Sequence, residues 1–172
     1  MKLHGTVGPA RTTVTAVAEE AGVQRGTVYR HFRDEDALFG ACSMHWLSLN
    51  PTPSPEAWIE IEDPSQRLRR ALTELYHWYE RNQRMLDNVF RDAPLVPAIR
   101  PPVEGFQRLL SAMQATLMRG RRQRGRRRAR VGGAVGHAIG FGAWSSLVRE
   151  NGLDGAEAVD LMVAMVGAAG AQ

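Results

Sequence analysis

Between Thr13 and Phe32 the chain reads TVTAVAEEAGVQRGTVYRHF, and this stretch constrains the fold more than any other. Val14, Val17, Ala18 and Ala21 recur at i, i+3, i+4 and i+7, which places them on one apolar stripe of a helix. Thr12 or Thr13 can cap its start by accepting from a free backbone N–H. Gly22 stops it, through a positive φ or through close packing. Val23 is then expected to turn inward, and a second helix to run from about Gln24 to Phe32 with Val28 and Phe32 toward the core. Its other faces carry Gln24, Arg25, Thr27, Tyr29 and His31, donors and acceptors that suit base edges and phosphates. A short helix pair of this kind delivers its second helix into a DNA major groove.

The segment AGVQRGTVYRHF, followed after Arg33 by DEDALF, resembles the tetracycline-repressor (TetR/AcrR) family of bacterial transcriptional regulators. The residues that carry the resemblance are Thr12, Thr13, Val14, Ala18, Ala21, Gly22, Val23, Gly26, Thr27, Val28, Tyr29, His31 and Phe32. It implies an all-α protein with a helix-turn-helix head on a helical-bundle domain that binds ligand and dimerises. The head with its connecting helix would take residues 1–49, and the effector-binding and dimerisation domain residues 50–172. By the same resemblance Thr12 and Thr13 belong to the DNA-binding set, Tyr29 and His31 grip phosphates with Thr13, and Gln24, Arg25 and Thr27 sit near base edges. Gly26 would let this helix approach a neighbour or the DNA backbone closely. The partners implied are double-stranded DNA, a second copy of the chain and a small-molecule effector, with no cofactor. The activity implied is repression at a palindromic operator, relieved by the effector.

Two features depart from the family pattern. Glu35 stands where many members place a phosphate-binding lysine; a carboxylate there repels DNA but suits the helix dipole. Only eleven residues precede Thr12, and Gly5, Gly8 and Pro9 among them leave no room for the amphipathic first helix of the family head. Without that helix the stripe of Val14, Val17, Val28 and Phe32 loses a wall, and each such side chain left unburied forgoes roughly 1.5–3 kcal/mol. Two readings follow: a start that lies further upstream, or a dimerising interaction protein whose truncated head no longer binds DNA.

Further along, Asp34 is a suitable N-cap for a connecting helix with Leu38, Cys42, Trp46 and Leu49 on one face. Prolines in NPTPSP (50–55) stop that helix, and Asp63-Pro64 starts a long one. Leu68, Ala71, Leu72, Leu75 and Tyr79 form its buried stripe, and Met85, Leu86, Val89 and Phe90 continue it past a kink near Arg81–Gln83. Pro94, Pro97, Pro101 and Pro102 mark a loop before a helix carrying Val103, Phe106, Leu110, Met113 and Leu117. The last helices are expected at about Val131–Arg149 and Gly155–Gly170. Glycine inside a helix costs about 1 kcal/mol relative to alanine, so their many glycines point to close helix approach. An apolar effector pocket would draw on Trp78, Met85, Phe106, Met113, His137, Phe141 and Trp144.

The net charge of +4 is misleading until it is mapped. Residues 1–50 balance at zero, whereas residues 119–130 hold eight arginines and no acid. That run has a nucleic-acid reading and a plainer one, a solvated loop and helix start. The single cysteine excludes an internal disulfide and fits a reducing compartment. No stretch is apolar and long enough for a membrane span or a secretion signal, so a cytoplasmic protein is expected. Nucleophile, P-loop, zinc and CxxC signatures are all missing, which argues against an enzyme and against a metal site.

Overall fold

Several helices in this chain begin where a short side chain or a proline can relieve the free amides of a first turn. Thr13 Oγ1 accepts from the Ala16 amide at 3.1 Å, Asp34 Oδ1 from Ala37 at 2.8 Å, and Asp63 Oδ1 from Ser65 and Gln66 at 2.9 and 2.7 Å. The computed structural model describes residues 2–171, and every regular element among them is helical. In chain order these are α1 (Lys2–Thr6), α2 (Val14–Glu20), α3 (Arg25–His31), α4 (Glu35–Leu49), α5 (Pro64–Asp92), α6 (Arg100–Leu117), α7 (Gly125–Ala138), α8 (Phe141–Trp144) and α9 (Gly155–Ala171). No helix of the described residues is long and apolar enough to cross a membrane.

The backbone gathers into two compact units, one of residues 1–51 with 82–106 and one of residues 52–81 with 107–172. In the first, α4 stands between two small cores. Leu38 joins Val14, Ala18 and Val28, with Val17, Phe32 and Cys42 packed around them. Its neighbour Phe39 faces the other way and joins Ala98 and Ile99, with Val89, Ala93 and Val96 against it. The wall thought to be missing from the head is therefore supplied by α4, although Val17 and Phe32 stay half-buried. Serving two cores also explains why the expected stripe fails at its far end, where Leu49 is 66 % exposed.

The residues before Thr12 do form a helix, but the five-residue α1 is short. It is held from the carboxyl-terminal part of α5. Asn88 Nδ2 donates to the His4 carbonyl at 2.9 Å, and the Ala10 amide donates to Asp92 Oδ2 at 2.9 Å. The His4 ring is buried and stacks on Phe39, centroids 4.8 Å apart. Burial lowers its pKa from 6.5 to about 4. Protons then bind the unfolded chain more readily than the folded one between those values, so stability falls as pH drops through that window. The loss is expected to be on the order of 2 kcal/mol. Thermal melts of wild type and His4→Phe should diverge below pH 6.5 and run parallel again below about 4. Curves that stay parallel throughout would show that His4 titrates as a solvated side chain.

In the second unit the stripe of α5 is sealed: Leu68, Ala71, Leu72, Leu75 and Tyr79 are almost fully buried. Helix α5 runs from Pro64 to Asp92 without a break at residues 81–83. Pro101 and Pro102 lie inside the first turn of α6 rather than in a loop, positions at which a missing N–H costs no helical bond. The expected helix over 131–149 begins earlier, at Gly125, and stops at Ala138. Its chain resumes as α8, which passes into a π-helix over Ser145–Glu150. Two tyrosines of α5 stabilise the break: Tyr76 donates to the Ala138 carbonyl at 2.8 Å and Tyr79 to Ile139 at 2.6 Å. Helix α7 packs along α9. Of the glycines expected to mark close approach, Gly136 lies against Gln114 and Gly170 against Gln123 and Val131, whereas Gly133, Gly142 and Gly167 have open space around them.

Candidate nucleic-acid interface

The turn between α2 and α3 decides what α3 presents. Gly22 takes φ +66°, a left-handed position that a side chain would disfavour. Around it the Val23 amide donates to Ala18 at 2.9 Å and the Gly22 amide to Glu19 at 3.1 Å, closing the carbonyls of α2 in a Schellman arrangement. Val23 itself does not turn inward; it is 42 % exposed. Val28 and Phe32 then anchor α3 on the first core, and the opposite side of the helix faces solvent.

That side carries Arg25, Gly26, Tyr29, Arg30 and His31, with Gln24 exposed at the N-cap and Thr27 half-buried. Arg25 Nη2 donates to the Tyr29 hydroxyl at 3.2 Å, and its guanidinium lies over the Tyr29 ring, 5.4 Å from the centroid. The tyrosine hydrogen bond raises the Arg25 pKa, so this fully exposed cation stays charged. Thr13 is exposed, though its hydroxyl oxygen is engaged in the cap of α2. Thr12 is not on this surface. It is buried, and its hydroxyl donates to the Gly8 carbonyl at 2.8 Å. Sequence reasoning passed over Arg30, which follows Gly26 by four residues and so shares its ridge opposite Val28.

The zero balance of the head conceals a segregation of charge. Its acids, Glu19, Glu20, Asp34, Glu35 and Asp36, lie at the end of α2 and the start of α4, and α3 holds none. Helix α3 thus shows solvent arginines and hydrogen-bonding side chains without a carboxylate, a surface matched to phosphates and base edges. No cluster of His, Cys, Asp and Glu among the described residues is arranged to hold a metal ion.

The family profile of bacterial regulatory proteins of the tetR family matches residues 1–42. The chain carries the head of a TetR-family regulator. It is a DNA-binding transcriptional regulator, and α2 and α3 are the helix-turn-helix of that TetR-type head. No curated protein and no solved structure matches the chain.

Gly26 separates two uses of a small residue. A Cβ built there meets nothing within 4 Å, so no neighbour in the chain requires glycine. Gly26→Ala is expected to stabilise the TetR-type head by roughly 0.5–1 kcal/mol, through helix propensity, while weakening DNA binding about tenfold. Melting and DNA titration of the same variant check both signs; unchanged affinity would show that α3 keeps its distance from the DNA backbone.

Of the seven residues expected to line an effector pocket, five lie in the second unit and take different places in it. Trp78 and Met113 are buried inside the second unit. Phe141 stacks on Trp144, centroids 5.4 Å apart, and both meet Tyr79 edgewise or tilted. His137 is exposed, on a side of α7 away from its buried Val131, Val135 and Ala138. Met85 and Phe106 belong to the first unit, where Met85 reaches Gly5 and Phe106 meets Phe90. The second unit does hold a pocket of about 280 Å³, lined by Arg69, Thr73, Tyr76, His77, Glu80, Trp144, Val148, Gly155, Ala156 and Val159. Only Trp144 is common to both sets. Trp144 and Val148 reach it from the α8 and π-helix segment, a distortion that frequently accompanies functional sites.

Proposed function

We propose that this chain is a homodimeric repressor that a small-molecule effector releases from a palindromic operator. The observation that carries the reading is the acid-free, solvent-facing side of α3 with Arg25 set against Tyr29. Helix α9 supports the dimer: Leu161 and Met165, four residues apart, are 41 % and 49 % exposed on a helix whose only charged residues are Glu157 and Asp160. Burying such a stripe against a second copy is the usual origin of a two-fold interface. The 280 Å³ pocket approaches the size of sites that take small ligands, and Tyr76 and Trp144 beside Arg69, Thr73, His77 and Glu80 suit an amphipathic effector. Control would be a coupling free energy between pocket and head, typically about 1–3 kcal/mol.

The test is a titration of the full chain against the DNA flanking its own gene, with sedimentation of the free and bound protein. A repressor of this kind shifts a palindromic fragment as a dimer, with half-site centres about 34–36 Å apart. A dimer that shifts no such fragment would replace this reading with that of a dimerising interaction protein.

A further inference from the structure

The run Arg119–Arg130 takes part neither in the reading helix nor in the pocket. Five of its eight arginines fall into two distinct kinds. Arg121 is a structural anchor: half-buried, it donates from Nε to the Leu117 carbonyl at 3.0 Å and from Nη2 to Pro64 at 3.1 Å. The side chains of Arg122, Arg124, Arg126 and Arg127 are exposed and make no hydrogen bond or ion pair with the described residues. They occupy a short extended segment and the first turn of α7.

Their position works against the helix they start. The first turn of α7 has no acidic residue, and Arg124 at the N-cap gives no side-chain cap. Cations at this positive end each cost about 0.3–1 kcal/mol. No acidic side chain among the described residues pairs with these four arginines, so the complement to this surface is an external polyanion. Its chemistry is narrowed by composition. The run is arginine without lysine, the side chain whose planar fork pairs with phosphate oxygens in two parallel bonds. Ala129 is its one apolar residue apart from glycine, which leaves nothing to insert into a bilayer interface.

We propose that Arg122, Arg124, Arg126 and Arg127 form a second, sequence-independent surface for duplex DNA, gripping phosphates outside the TetR-type head. Each phosphate contact adds about 0.9 to the slope of log affinity against log salt, so four arginines contribute up to about 3.6. Over a fourfold rise in salt that slope amounts to roughly a hundredfold in affinity.

The experiment is fluorescence anisotropy of the full chain on a random-sequence duplex across a salt series. A random duplex makes the outcome independent of whether the chain is a palindrome-binding repressor. The combined variant R122Q/R124Q/R126Q/R127Q is expected to lose about 3 from the salt slope and more than tenfold in affinity at low salt. Arg25→Ala combined with Arg30→Ala, in the head, should keep that share of the slope. The reversal R126E/R127E changes the charge by the same four units and should bind comparably weakly, yet melt no lower than wild type, because acids suit the first turn of α7. A quadruple variant with wild-type slope overturns the proposal. So does a wild-type protein that prefers single-stranded RNA or phosphatidylglycerol vesicles to duplex DNA through these same arginines.

Discussion

Arg67→Met is expected to cost about 3 kcal/mol, because it strips buried carbonyl acceptors of the guanidinium that satisfies them. Arg67 is only 5 % exposed, yet it has no carboxylate partner in the ion pairs or hydrogen bonds around it. Its charge is satisfied by carbonyl oxygens. Nε donates to Ile61 at 2.9 Å, Nη2 also to Glu62 at 3.2 Å, and Nη1 to Arg119 at 2.8 Å and Thr116 at 3.4 Å. Thr116 and Arg119 lie at and just past the carboxyl end of α6, where a cation meets the negative end of the helix dipole. Methionine fills the volume of the stem but leaves these acceptors unpaired, at about 1–3 kcal/mol for each that water cannot reach. In a chain of this size the melting temperature should fall by roughly 10 °C. Arg70→Met is the control: its exposed i,i+4 pair with Glu74 is worth only about 0.3–0.5 kcal/mol. An Arg67→Met protein as stable as that control would mean that water replaces the guanidinium and that the site is solvated.

Arg67 also shows what the sequence could and could not convey. The stripe beside it, Leu68 to Tyr79, is legible because a 3.6-residue period of apolar side chains has one common explanation, a helix face in a core. A charged side chain at the edge of that stripe reads as surface, since arginine is almost never fully buried unless paired. Two of the carbonyls that satisfy it, those of Thr116 and Arg119, come from about fifty positions away, and sequence carries no trace of them. Helix α4 and its cap were legible, but its packing was not, for a related reason. Adjacent Leu38 and Phe39 serve different cores, so no single stripe describes the helix. In the head the local rules were sufficient: the caps at Thr13 and Asp34 and the turn at Gly22 depend on neighbours in sequence. The pocket was not legible, because its walls depend on the break after Ala138 that Tyr76 and Tyr79 stabilise from α5. An unbroken helix would have set His137 and Trp144 on one face; across the break His137 lies in solvent and Trp144 at the pocket.

Arg25→Ala is expected to weaken binding to the cognate operator roughly tenfold to a hundredfold, the range for losing one bidentate arginine contact to guanine at about 1–3 kcal/mol. The fold should not register the change, because Arg25 supports no core and its hydrogen bond to Tyr29 lies wholly at the surface. Exposed substitutions of this kind usually stay within about 0.5 kcal/mol in stability. Tyr29 holds the guanidinium by a hydroxyl at 3.2 Å and a ring face at 5.4 Å, which restricts the arginine before DNA arrives. Ordering a free side chain at an interface costs about 0.5–1.5 kcal/mol, so Tyr29→Phe should lose part of the Arg25 effect and Tyr29→Ala more of it. The two losses should therefore fall short of additive in the double variant, as a cycle of the four proteins would show. Arg25→Lys keeps the charge but not the fork, and should recover non-specific affinity without recovering discrimination among sequences. If Arg25→Ala instead weakened operator and random DNA by the same factor, Arg25 would be a phosphate contact, and base readout would fall to Gln24, Thr27 and Arg30 on the same helix.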